Sequence, residues 1–130
     1  MSQADSFTAL IDVVKKLRAP GGCPWDQEQT LESLTPHIIE EAYELVDAIE
    51  KADSSFIKDE LGDAILHVVM LSEIASDQGS FDLKAVIESV TQKMITRHPH
   101  VFSDTSFTSQ DDVWRNWEKI KQTESQSASA

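Results

Sequence analysis

Two short acidic motifs hold the residues best placed to do chemistry. EEAYE (40–44) sets Glu41 and Glu44 three positions apart, and ELGD (60–63) repeats that spacing with Glu60 and Asp63. On a helix an i, i+3 pair projects from one face. The second motif leads into AILHVVML (64–71), apolar nearly all round, and helical geometry puts Glu60, Asp63 and His67 on one stripe with Phe56, Leu71 and Ile74. An ionised carboxylate on such a stripe has to be paired, protonated or bound to metal, because burying it alone is too expensive. The helices carrying the two motifs are joined by the short turn KADSS, which predicts antiparallel packing. The pairs stand at broadly similar distances from that turn and can therefore face each other. Four carboxylates so gathered repel strongly, and either proton uptake or a cation must relieve them. The donors are all hard oxygens, with no His/Cys set, which favours Mg²⁺, with Mn²⁺ as a substitute, over Zn²⁺. A carboxylate-bridged di-iron centre is the main competitor, but it requires Glu-x-x-His pairs that neither motif supplies.

The elements that must position these acids all read as helices. DSFTALIDVVKKLRA offers Asp5 or Ser6 as N-cap and an apolar stripe of Phe7, Leu10, Ile11 and Val14. PGGCPWD (20–26) interrupts it with two prolines and two glycines. Thr35 followed by Pro36 predicts a second helix over 36–51. Its apolar face is Ile38, Ala42, Leu45, Val46 and Ile49, opposite Glu40, Glu41, Glu44 and Asp47. Ser54 or Ser55 can cap a third helix reaching Gly79, and Asp82 a fourth running to about Arg97. The third, apolar all round, belongs at the centre of a bundle or in a subunit interface. A polar loop then leads to a fifth helix capped by Ser109, through DDVWRNWEKIK. The expected fold is an all-α antiparallel bundle of about five helices over 1–121, followed by a disordered polar tail, 122–130.

Composition narrows the partners. The chain has 130 residues, 40% of them apolar, enough for one domain with a real core; 4 Gly and 4 Pro disfavour a loop-rich or all-β fold. No apolar run approaches a membrane span, and no signal-peptide pattern opens the chain. A lone cysteine, Cys23, forms no internal disulfide and fits a reducing cytoplasm. The net charge of −12 disfavours a nucleic-acid polymer as partner, yet allows a small anion that arrives with a divalent metal.

EEAYE followed by ELGD resembles the EExxE…ExxD pattern of the all-α nucleoside triphosphate pyrophosphohydrolases of the MazG type, and GGCPWDQEQT, RHPHVF and NWEKIK extend that resemblance over about 9–121, particularly to the N-terminal repeat of MazG. The resemblance implies Mg²⁺-dependent hydrolysis of a nucleoside triphosphate to the monophosphate and pyrophosphate. It implies metal ligation by Glu41, Glu44, Glu60 and Asp63, with Glu40 orienting or deprotonating the attacking water or ligating a second ion. Lys93 and Arg97, and Lys121 of the Trp117-x-x-x-Lys121 pattern, are implied in binding the phosphate chain, and Trp25 and Trp117 in contact with the base. His67 is more ordinary as a core histidine, and Trp114 as a packing residue. A homodimer, or a tetramer of two dimers, is implied as well. Many MazG proteins carry two copies of this unit and this chain one, which leaves a catalytically idle nucleotide-binding module as the alternative to an enzyme. A purely structural dimerisation domain is the third reading.

Overall fold

The structure, a computed structural model, describes residues 1–103 and 109–129, with side chains to 124; part of the polar loop expected before the last helix, 104–108, lies outside the described residues, as do the side chains of the tail from 125. All regular structure among the described residues is helical, as expected, in seven helices rather than five. Both additions are short and begin at a proline, Pro24 and Pro99, the first inside the break expected at 20–26. Contacts group the chain into two compact units, 1–83 and 84–130.

The first unit holds α1 (Gln3–Arg18), α2 (Pro24–Glu28), α3 (Thr35–Glu50) and α4 (Ser54–Asp77). Helix α1 starts earlier than Asp5 or Ser6 would have it. Ser2 is the cap: its hydroxyl accepts from the Asp5 amide at 3.0 Å while the Asp5 carboxylate accepts from the Ser2 amide at 3.1 Å, a reciprocal capping box. At the other end the chain turns back on itself so closely that a Cβ on Gly22 would collide with the carbonyl oxygens of Lys16 and Leu17. The Arg18 guanidinium then ties three helices together, donating to the Asp26 carbonyl at 2.6 Å and pairing with the Asp77 carboxylate at 3.2 Å.

Val14, Leu34, Val69, Met70, Ile74 and Leu83 form the buried core, with Phe7, Leu10 and Ile11 of the expected α1 stripe packed against it. Helix α3 packs on α4, and the turn between them is set by Asp53, not by Ser54 or Ser55. The Asp53 carboxylate accepts from the amides of Ser55 and Phe56 at 2.9 and 3.2 Å. Likewise Thr35 does not cap α3: its hydroxyl donates back to the Glu32 carbonyl, and Leu34 occupies the cap position. Gly79 follows the end of α4 with φ +76°, the left-handed residue expected there.

One expected face is corrected. Val46 and Ile49 are 51% and 56% exposed, and Ala42 is exposed too. The inward line of α3 is Leu34, Ile38, Glu41, Leu45 and Ala48, at i, i+4, i+3 spacing. Glu41 therefore lies on the packed side of its helix. Phe56 is corrected in the same way: it is exposed, while Glu60, Asp63, His67 and Leu71 of its stripe are half-buried and Ile74 is buried.

The second unit holds most of α5 (Leu83–Arg97), with α6 (Pro99–Phe102) and α7 (Gln110–Ser129). The Ser109 hydroxyl accepts from the Asp112 amide at 3.2 Å, the cap anticipated for the last helix. That helix does not stop at Lys121. It continues past Lys121, where a polar tail was expected to begin, and Glu124 in that stretch forms an ion pair with Arg97.

Candidate active site

Helices α3 and α4 bring Glu41, Glu44, Glu60 and Asp63 together. One oxygen of each lies within 4.8 Å of the corresponding oxygen of every other. Opposed ligands of an octahedral ion with 2.0–2.1 Å bonds stand roughly 4.2 Å apart, so small side-chain adjustments would close the set around Mg²⁺. Glu41, Glu60 and Asp63 are half-buried and Glu44 is exposed, which leaves the cluster open on one side. Within it, Oε2 of Glu41 and Oε2 of Glu60 are buried and have no hydrogen-bond donor among the described residues. Buried carboxylate oxygens without donors are rare unless something cationic or a proton completes them.

The electrostatics point the same way. Burial, then repulsion from Asp63 and Glu44, raises the Glu41 carboxyl to about 7, and hydrogen bonding of its protonated form to Glu60 adds to the rise. Glu44 is also raised, by desolvation first and then by the charges of Glu60 and Glu40. In the absence of a cation the cluster relieves itself by taking up protons. Its donors, all carboxylate oxygen and with no ammonium or guanidinium ion-paired to them among the described residues, suit a hard divalent ion.

The neighbourhood adds residues that spacing did not single out. An open cleft of about 180 Å³ adjoins the cluster, lined by Glu44, Asp47, Ala48, Lys51, Phe56 and Glu60. Lys51, the residue that ends α3, and Asp47 form an i, i+4 ion pair at 2.8 Å on its wall. Nδ1 of His67 lies 3.1 Å from the Asp63 carbonyl oxygen, turned onto its own helix rather than into the cluster. Glu40 is exposed on α3, close enough to act on the charge of Glu44. Trp25, on α2, is exposed and meets the edge of the His37 ring at 6.0 Å.

The remaining candidates belong to the second unit. Lys93 and Lys121 are exposed. Arg97 is half-buried, bonded to Glu124 at 2.6 Å, with its guanidinium 5.2 Å from the centre of the Trp117 ring. The rings of Trp117 and His98 also meet nearly at right angles, their centres 4.9 Å apart. The structure thus joins Arg97 and Trp117 in one packed group, which their separation in sequence did not reveal.

The domain model for the MazG nucleotide pyrophosphohydrolase domain matches residues 29–102, a stretch that includes all four clustered acids, Glu40, Lys93 and Arg97. The chain belongs to the MazG family. It is 45% identical over 115 residues to the nucleoside triphosphate pyrophosphohydrolase/pyrophosphatase MazG of Thermotoga maritima, covering 88% of this chain and 44% of that one. To the nucleoside triphosphate pyrophosphohydrolase of Escherichia coli K12 it is 39% identical over 122 residues, 93% of this chain and 45% of the relative. YabN of Bacillus subtilis, whose name states no activity, is 43% identical over 118 residues, 91% of this chain and 24% of its own length. The chain therefore spans less than half the length of each of these relatives. Among solved structures, a mazG-related protein from Thermotoga maritima superposes with a TM-score of 0.73 at 25% identity, covering 88% of this chain and 98% of that one. The MazG fold is thus shared over nearly the whole of the smaller relative.

Proposed function

We propose that this chain is an Mg²⁺-dependent nucleoside triphosphate pyrophosphohydrolase, releasing the monophosphate and pyrophosphate from standard or modified NTPs and dNTPs and so cleansing the nucleotide pool of the cytoplasm. The observation that carries this reading is the pair of donor-less buried oxygens, on Glu41 and Glu60, inside a four-carboxylate cluster. Glu41, Glu44, Glu60 and Asp63 would hold Mg²⁺, or Mn²⁺ in its place. Bound there, the ion supplies the positive charge that lets a triphosphate approach these acids and polarises the phosphoanhydride.

The protein's own residues do the rest. Glu40, exposed beside the cluster, orients a water and accepts its proton at a carboxylate oxygen as the water oxygen attacks the α-phosphorus. The bond from that phosphorus to the bridging oxygen breaks, and pyrophosphate leaves. Lys93, Arg97 and Lys121 hold the phosphate chain, while Trp25 and Trp117 contact the base. Stacking on an aromatic face accepts any base, so these residues set affinity rather than choice of base. Ile39, Tyr43, Val46 and Ile49 on α3, with Leu61, Ile65 and Val68 on α4, leave apolar surface uncovered on both helices. It supports a homodimer, or a tetramer of two dimers.

The test is pyrophosphate release across a panel of standard and damaged NTPs and dNTPs, with Mg²⁺ and with EDTA, identifying the nucleotide product. Metal-dependent monophosphate and pyrophosphate, lost in Glu41→Gln, is the expected result. Silence across the panel, with saturable Mg²⁺-dependent nucleotide binding, would assign the chain to the idle binding module instead.

A further inference from the structure

Arg97 is held by its neighbours in a way that bears on how tightly a polyanion can bind. Its Nη2 donates to Oε2 of Glu124 at 2.6 Å and its Nε to the same oxygen at 3.3 Å. The guanidinium lies over Trp117, and Trp117 is held in turn by His98, whose Nδ1 is 2.6 Å from the Met94 carbonyl oxygen. Arg97 is thus fixed in place by more than its ion pair. Glu124 is the outer partner: its side chain is 38% exposed against 11% for Arg97.

Two features make that carboxylate replaceable. Both hydrogen bonds converge on one oxygen, whereas a phosphate can offer two oxygens to the guanidinium fork, the stronger arrangement. Trp117, Lys121 and Glu124 also stand at i, i+4 and i+7 on α7, hence on one face of that helix. An anionic side chain therefore shares a face with the aromatic and basic residues assigned to the substrate.

We propose that Glu124 is an internal stand-in for a substrate phosphate. It occupies Arg97 when no substrate is bound and must be displaced by the incoming phosphate chain, so it sets the affinity for triphosphate by competition. The proposal rests on the reading that Arg97 meets the phosphate chain. It makes Glu124 a residue that acts through Arg97, without touching the reacting atoms.

The experiment compares wild type, Glu124→Gln, Arg97→Gln and the double variant in Mg²⁺-dependent pyrophosphate release, resolving KM from kcat. Competition predicts that Glu124→Gln lowers KM by roughly two- to fivefold with kcat unchanged, as expected for removing one partner of a partly exposed ion pair. Arg97→Gln should raise KM, and in that background Glu124→Gln should change nothing further. A higher KM or a fallen kcat in Glu124→Gln would overturn the proposal, since the carboxylate would then be holding Arg97 in its working position. If wild type proves inactive, the functional reading fails separately. Calorimetric titration with inorganic tripolyphosphate then decides this point: tighter binding to Glu124→Gln upholds competition, and equal or weaker binding refutes it.

Discussion

Glu41 shows how a single side chain can be wrong for the fold and right for the site. It lies on the packed line of α3 between Ile38 and Leu45, where an apolar residue would serve stability better. Replacing it by Gln removes charge repulsion, so the metal-free protein should melt at a higher temperature while Mg²⁺ affinity falls; calorimetry with and without EDTA measures both. The acidity of Glu41 gives a second prediction. Raised from 4.5 to about 7, this carboxyl binds protons in the folded state over a range where the unfolded chain has released them. Its contribution to metal-free stability is therefore fully present below about 4.5 and lost as pH rises through about 7. Stability in EDTA should fall between pH 5 and 8, whereas Mg²⁺ binding should strengthen over the same range because protons and cation compete; thermal scans and metal titrations at stepped pH check the two slopes. These four acids were legible in the sequence because i, i+3 spacing and a short turn are local geometry. The Arg97–Glu124 pair, 27 positions apart, and Arg18–Asp77, 59 apart, were not, since nothing in local spacing reports which distant anion a guanidinium will meet.

At the scale of elements, every helix expected from periodicity is present, and the errors concentrate at caps and faces. Ser2 and Asp53 took cap positions that near neighbours with similar chemistry could have filled, and Leu34 opens α3 with no side-chain cap at all. The misjudged face of α3 has a different cause. Val46 and Ile49 are apolar and at helical spacing, but periodicity shows only that a face needs covering, not that the same chain covers it. The turn between α3 and α4 carries its own strain: Ala52 has φ +53°, a left-handed conformation that a Cβ disfavours. Ala52→Gly should stabilise the fold by about 0.5–1 kcal/mol, the relief being partly offset by the freer unfolded chain. Gly22 predicts the reverse. Alanine there meets two carbonyl oxygens of α1, so Gly22→Ala should destabilise by about 1–3 kcal/mol. Denaturant melts of both variants read these differences directly.

For the whole molecule, α3 and α4 have two unlike sides. One carries the acids, and another exposes Ile39, Tyr43, Val46 and Ile49 on α3 with Leu61, Ile65 and Val68 on α4. If a second copy covers that surface, Ile65→Asp should shift the protein to monomer in sedimentation, with its helical content kept. No described helix is long and apolar enough to cross a membrane. Because the same two helices hold the acids and present the uncovered apolar surface, self-association and turnover would draw on one piece of scaffold. If copies associate there, dilution becomes an enzymological variable: activity per chain should fall as the protein is thinned below its dissociation constant, and a substrate that tightens the acid cluster should in turn hold the copies together.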